Sequence, residues 1–208
     1  HDDIRGVIAK DPDADFVMQE FLPHAKDQDI RVHMVWDSAR HDYTVQNSYV
    51  RNRNPFELTP NLANGGFPTN YVLSPWEEHQ ALSSARVLAE GSPTAPLHVG
   101  LDFFPRQPIT ASTVERNAKL QELQGKLLGQ GWTPDAVRHQ LIQLSRDTAV
   151  IGEAASSAGT KGTELVLGEG VNPVTAKMVS EILHARANGV SRLHGEDTRA
   201  AAALVQGG

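Results

Sequence analysis

Apolar and polar residues alternate with a period of two over residues 30–36, which predicts a half-buried β-strand. Similar patterns predict strands over residues 16–22 and 47–53. Two more strands are predicted, one from the apolar stretch that includes Asp102 and one from the short apolar run over residues 164–167. Strands are therefore expected in both the first half and the last quarter of the chain.

Helical signals lie between these strands. A capping pattern that starts at Ser74 and continues with Pro75 and Glu77 predicts a helix to about residue 88. Three further helices are predicted from caps and from leucines at helical spacing, and they start at Ser112 or Thr113, at Thr133 and near Thr175. The first two of these form a helical hairpin, because a Gly-Gln-Gly segment separates them. The fold class expected from the sequence is α+β.

The same patterns predict how the chain is divided. Residues 1–104 and 164–190 are expected to form one unit, and residues 105–163 are expected to form a helical insertion. Residues 191–208 are polar and rich in alanine, so we expect a mobile tail there. Length alone allows one domain or two small ones.

Composition excludes several classes of function. The net charge of −6 is opposite to what a nucleic-acid or acidic membrane surface would attract, so neither partner is expected. The absence of cysteine excludes disulfides and thiolate metal sites. No apolar run is long enough to span a membrane, and a cytoplasmic location is expected. The histidines show no metal-binding spacing, and we interpret them as surface or capping residues.

Oxygen-bearing side chains follow two of the predicted strands. Asp102 lies at the end of one, and Glu169 and Asn172 follow the strand over residues 164–167. Carboxylate and amide oxygens suit Mg²⁺, so these three residues are candidate metal ligands. Two structural interpretations stay open, namely a strand-end aspartate that faces water and an Asn-Pro turn.

Further polar residues are candidates for contacts with a nucleotide. Glu20 and Asp29 lie at strand ends and offer acceptors for ribose or adenine, next to the backbone of Phe21. Arg31 and Arg51 carry guanidinium groups that bind phosphate or carboxylate through two hydrogen bonds. Exposed strand-edge positions explain each of these residues equally well when it is taken alone.

A last candidate is the turn that begins at Asn61, where Asn-Leu-Ala-Asn-Gly-Gly offers backbone donors to a phosphate. Taken together, five segments resemble the C-terminal half of an ATP-grasp ligase of the RimK type. They are Gln19-Glu20-Phe21, Asp29-Ile30-Arg31-Val32, Asn61-Leu62-x-x-Gly65-Gly66, Gly100-Leu101-Asp102 and Glu169-x-x-Asn172-Pro173.

The resemblance implies an ATP-grasp-like antiparallel sheet with packed helices, into which the helical hairpin is inserted. It implies that Glu20, Phe21, Asp29 and Asn61 bind ATP, and that Arg31 and Arg51 act in catalysis. Asp102, Glu169 and Asn172 would then bind Mg²⁺. The hairpin would project beside this site and recognise a peptide or protein substrate.

The implied activity is an ATP-dependent carboxylate–amine ligase that forms ADP through an acyl phosphate. Its substrates would be a small-molecule or peptide carboxylate and an amine. The chain is expected to lack the upstream ATP-grasp lobe and to be inactive in isolation. The alternative is a non-catalytic domain that binds a nucleotide or a partner on an ATP-grasp scaffold. Homo-oligomerisation stays open.

Overall fold

The computed structural model describes residue 6 and residues 22–56, 60–90, 96–146, 148–155 and 159–188. Its centre is a five-stranded sheet in which every neighbouring pair is antiparallel, in the order β3-β2-β1-β4-β5. The strands are β1 (Gln28–Asp37), β2 (Asp42–Asn52), β3 (Phe67–Asn70), β4 (His98–Pro105) and β5 (Ala149–Ala155). Sheet and helices together confirm the α+β class.

The described part of the chain contains five α-helices besides this sheet. They are α1 (Pro75–Glu90), α2 (Ala111–Gly129), α3 (Pro134–Leu144), α4 (Lys161–Leu167) and α5 (Pro173–Ala187). The predicted hairpin is confirmed as α2 and α3. Thr133 caps α3 as its sequence suggests, because its hydroxyl accepts a hydrogen bond from the Ala136 amide at 3.3 Å. No helix in the described part of the chain is long and apolar enough to cross a membrane.

One face of the sheet carries the main hydrophobic core. Ile30, Val32 and Met34 alternate along β1 and are fully buried against Ala81 and Ala85 of α1. A strand sends successive side chains to opposite faces, so the period of two in the sequence determines which residues enter this core. The hairpin belongs to the same layer, because α2 and α3 both contact α1.

The other face of the sheet is polar over most of its area and is covered by α5 at one end. There Val35 packs with Val174, Met178 and Ile182. Lys177 fixes α5 to the end of β1 through an ion pair with Asp37 at 2.9 Å. The shorter helix α4 contacts β2 and β3 on this side.

One prediction about the last third of the chain is wrong. Residues 164–167 were predicted as a strand, but they lie in the helix α4. Four consecutive apolar residues do not distinguish the two structures by periodicity, and packing on the sheet decided the outcome. The predicted helical insertion over residues 105–163 also contains the strand β5, whose Ala, Gly and Glu residues carry little strand signal. Residues 16–21 of the strand predicted over residues 16–22 lie outside the described residues, as does the tail, and Leu22 belongs to no helix or strand.

Gly162 lies where α4 packs closely on the sheet. A Cβ atom built there would lie 2.4 Å from the Tyr49 ring, whereas one built at Gly125 in α2 would meet nothing within 4 Å. Gly162→Ala is therefore expected to lower the free energy of unfolding by about 1–3 kcal/mol. Gly125→Ala should raise it by about 0.5–1 kcal/mol, because alanine favours the helix. Urea denaturation of both variants checks the pair, and equal effects would contradict the close contact.

Candidate functional site

Four charged residues from three adjacent strands meet on the polar face of the sheet. Asp29 and Arg31 lie on β1, Arg51 lies on β2, and Asp102 lies on β4. The strand register brings them together, because Asp29 is opposite Arg51 and Arg31 is opposite Asp102. We refer to these four residues as the ion-pair cluster.

Each acid of the cluster is held by a guanidinium group. Arg31 donates two hydrogen bonds to Asp102, one of them from Nη2 to Oδ2 at 2.8 Å. Arg51 donates two to Asp29, from Nε at 2.5 Å and from Nη2 at 2.8 Å. The Nη2 of Arg51 also reaches Oδ2 of Asp102 at 2.7 Å, which joins the two pairs.

The cluster is largely shielded from water. The side chains of Asp29 and Asp102 are 7% and 6% exposed, and those of Arg51 and Arg31 are 16% and 14% exposed. Burial raises the pKa of Asp29 to about 6, although hydrogen bonds from Arg51 oppose that rise. Two acids and two arginines balance in charge, so the cluster holds together without an external ion.

A buried histidine pair lies beside the cluster on the same face. The Nδ1 of His33 is 3.0 Å from the Nε2 of His98, and its Nε2 is 3.3 Å from the hydroxyl of Tyr49. Burial lowers the pKa of His33 to about 2 and that of His98 to about 4, so both rings are neutral at neutral pH. The interpretation of the histidines as surface or capping residues is wrong for this pair.

Glu153 is an acidic residue near the cluster that sequence reasoning missed. It lies on β5 directly opposite Asp102 in the antiparallel ladder. The register shifts at this point, so Gly152 falls between the pairs on either side, and the Glu153 side chain is exposed. The β-branched Val150 and Ile151 were the local signal for this strand.

The other two predicted metal ligands lie at the turn between α4 and α5. Glu169 is exposed in the turn between α4 and α5. Asn172 caps α5: its Oδ1 accepts from the Thr175 amide at 3.1 Å. Its Nδ2 donates to Thr160 Oγ1 and to Glu164 Oε1, each at 3.1 Å. No contact joins Glu169 or Asn172 to Asp102 among the described residues, and their metal role stays a prediction.

The predicted nucleotide contacts are only partly described. Asn61 caps a short 3-10 turn (Leu62–Asn64), because its Oδ1 accepts from the Ala63 amide at 2.9 Å. The turn fits tightly against the end of β2, where a Cβ atom at Gly66 would lie 2.9 Å from the Asn52 carbonyl oxygen. Glu20 and Phe21 lie outside the described residues.

The hairpin does not project beside the cluster. Its Asn117 donates to the Tyr71 hydroxyl at 3.0 Å and to the Val72 carbonyl at 2.9 Å. Ile109 and Val114 pack on the core formed by the opposite face of the sheet. The ion-pair cluster and the hairpin therefore lie on opposite faces.

Asp102 and Glu153 lie opposite each other in the β4–β5 ladder, which fits a magnesium ion in one respect. Mg²⁺ is commonly bound by one or two carboxylates, with water and substrate phosphate at the remaining positions. Both carboxylate oxygens of Asp102 already accept hydrogen bonds from arginine, so a metal would have to share or replace them. Within the described residues there is no group of three or more His, Cys, Asp or Glu side chains that could hold a metal.

Comparison with known proteins adds no assignment to this geometry. No family model matches the chain, and no curated protein is significantly similar to it. What stands is an α+β protein with a five-stranded antiparallel sheet and a cluster of buried ion pairs on the polar face of that sheet.

Proposed function

We propose that the chain is the nucleotide-binding part of an ATP-dependent carboxylate–amine ligase of the ATP-grasp type. The observation that carries the proposal is the convergence of Arg31, Arg51 and Asp102 on one face of an antiparallel sheet, with Glu153 next to them. The resemblance of the surrounding segments to the C-terminal half of an ATP-grasp ligase of the RimK type supports it.

Each residue has a defined task in this proposal. Arg31 and Arg51 place guanidinium donors where phosphate or carboxylate oxygens would lie, and they stabilise negative charge there. Asp102 and Glu153 supply the carboxylates for Mg²⁺, which would offset the charge of the nucleotide phosphates when it is bound. Asp29 orients Arg51 through the two hydrogen bonds between them.

The proposed reaction has two steps. A substrate carboxylate attacks the γ-phosphorus of ATP, and the bond to the bridging oxygen breaks to release ADP. The amine then attacks the carbonyl carbon of the acyl phosphate, an amide bond forms, and inorganic phosphate leaves with loss of a proton from nitrogen. Small-molecule or peptide carboxylates and amines are the substrate class.

A non-catalytic domain on the same scaffold is the second candidate. It is favoured by the complete internal pairing of the cluster, since both acids already accept hydrogen bonds from the two arginines. An ion-pair cluster that is satisfied in this way stabilises the sheet without any ligand. The ligase requires Mg²⁺-dependent binding of ATP, whereas a non-catalytic domain that binds a nucleotide or a partner does not require it.

Calorimetric titration of ATP into the chain, with and without Mg²⁺, distinguishes the two. Glu153→Gln is the informative variant, because the side chain is exposed and its replacement leaves the buried pairs intact. We expect Mg²⁺-dependent binding that weakens about tenfold in this variant, as for the loss of one charged ligand.

Glu122→Gln on α2 is the matched control, because Glu122 is also an exposed glutamate but lies in the hairpin. It should bind ATP as the parent chain does. A folded chain that binds no ATP, or that binds it equally without Mg²⁺, would favour the non-catalytic candidate.

A further inference from the structure

A second candidate site lies on the opposite face of the sheet, between β2 and the helical layer. It is a cavity of about 450 Å³, and residues of the β1–β2 turn, β2, α1, α2 and α3 line its walls. We call it the arginine groove, and its main lining residues are Arg40, Val45, Leu82, Arg86, Arg138 and Leu141. We propose that it binds a small organic carboxylate with an apolar body.

Charge is the first argument for this ligand. Three arginines line the groove, against the two carboxylates of Asp42 and Glu78. Arg86 is held by Asp42 through two hydrogen bonds at 2.8 and 2.5 Å, so this pair is neutral. Among the remaining lining residues, Arg40 and Arg138 outnumber Glu78 by one charge, and the carboxylate of Asp135, outside the lining, lies 3.4 Å from Arg138.

Arg138 is well placed to bind an anion. Its contact with Asp135 is 3.4 Å long, and the two side chains are 61% and 91% exposed. An exposed pair of this kind contributes little, so the guanidinium group is available to a ligand. Its planar fork matches a carboxylate, which accepts two parallel hydrogen bonds.

The apolar residues of the groove indicate that the part of the ligand beyond its carboxylate is apolar. Val45 and Leu82 are half-buried and line the same cavity, together with Leu141 and Tyr43, which are only 1% and 2% exposed. Ligand sites for small molecules typically enclose about 300–1,000 Å³. The groove falls within that range, and it offers more polar than apolar surface to a ligand. A carboxylate on an apolar body satisfies both parts, whereas inorganic phosphate would leave the apolar wall without a contact.

The groove owes its shape to the hairpin. Gln124 of α2 and Arg138 and Leu141 of α3 form one side of it. The hairpin therefore has a binding role that does not depend on the ion-pair cluster, and a ligand here would not compete with a nucleotide on the polar face.

Phenylacetate is the probe, and ligand-observed NMR titration measures its dissociation constant. Phenylacetamide has the same shape without the charge, and inorganic phosphate has charge without the apolar body. The variants are Arg138→Gln in the groove and Arg186→Gln as a matched control, since Arg186 is an exposed arginine on α5. Circular dichroism checks that each variant is folded.

We expect phenylacetate to bind, Arg138→Gln to weaken binding about fivefold, and Arg186→Gln to leave it unchanged. Phenylacetamide and inorganic phosphate should each bind more weakly than phenylacetate. Absence of binding to the folded chain would overturn the proposal. Equal weakening in the two variants would also overturn it, as would a phenylacetamide affinity equal to that of the acid.

Discussion

Replacement of Asp102 by alanine is expected to lower the free energy of unfolding by about 3–5 kcal/mol, the usual cost of breaking a buried ion pair. Asp102 accepts hydrogen bonds from both Arg31 and Arg51, and its side chain is 6% exposed. Its removal leaves Arg31 as a largely buried cation without its partner. Arg51 keeps Asp29, so most of the loss comes from Arg31. Urea denaturation measures the change.

Asp42→Ala is the matched control for this variant. Asp42 is also bound by an arginine through two hydrogen bonds, from Arg86, but the two side chains are 33% and 45% exposed. Its loss should cost less than about 1 kcal/mol, because water compensates an exposed charge. A similar effect of both variants would contradict the importance of burial in the cluster.

A double variant separates charge from packing. In Asp102→Leu combined with Arg31→Met, neither side chain of this pair retains a charge. We expect it to be more stable than Asp102→Ala, because apolar residues of similar volume often replace a buried pair at little cost. A large loss of stability in Asp102→Ala would make that variant unsuitable for a binding test, because unfolding and loss of ligand binding would occur together. The function is therefore tested at Glu153.

The second large effect is expected at Glu77, a buried carboxylate at the start of α1. Its oxygens accept hydrogen bonds from the Ser74 amide at 2.8 Å, the Thr148 hydroxyl at 2.9 Å and the Tyr71 hydroxyl at 3.1 and 3.2 Å. Burial raises the pKa of Glu77. Glu77→Ala would leave these buried donors without an acceptor, at about 1–3 kcal/mol for each group that finds no other partner.

We therefore expect Glu77→Ala to lower the free energy of unfolding by about 3–5 kcal/mol, in the range of the most damaging single substitutions. The adjacent Glu78 is the control, since it occupies the same first turn of α1 but is only half-buried. Glu78→Ala should cost about 0.3–1 kcal/mol, the size of its interaction with the helix dipole. Thermal and urea unfolding of both variants test the difference.

The Glu77 contacts also show how the parts of the chain are joined. The carboxylate links the end of the β3–α1 connection, the start of α1 and Thr148 just before β5. Asn117 of α2 donates to the same Tyr71 hydroxyl that donates to Glu77. The hairpin is thus attached to the core through polar contacts that its own apolar pattern does not indicate.

Helix starts and buried strand faces were predicted well because they depend on neighbouring residues. Ser74 and Thr133 lie next to prolines that favour the first helical turn, and each precedes a helix in the structure. The helix predicted from about Thr175 begins two residues earlier, at Pro173. The alternation over residues 30–36 likewise gave the buried face of β1. Asn172 caps its helix in the structure, a role that is also local, and its metal binding stays a prediction.

The site was harder to predict because it depends on register. Asp29, Arg31, Arg51 and Asp102 were each named from the sequence, but nothing in the sequence pairs Arg31 with Asp102 across 71 positions. Glu153 was missed because its strand carries a weak signal and gains its position only from pairing with β4. His33 and His98 were misjudged for the same reason, since pairing of β1 with β4 places them side by side.

The sequence by itself therefore determined the α+β class, the hairpin and the polar residues available for chemistry, because caps and periodicity act within a few residues. Tertiary structure decided which of these residues meet. It joined acids and arginines from three strands into one neutral cluster, turned residues 164–167 into a helix against the sheet, and closed the arginine groove with the hairpin. These outcomes depend on strand register and helix packing, which are contacts between residues far apart in the chain.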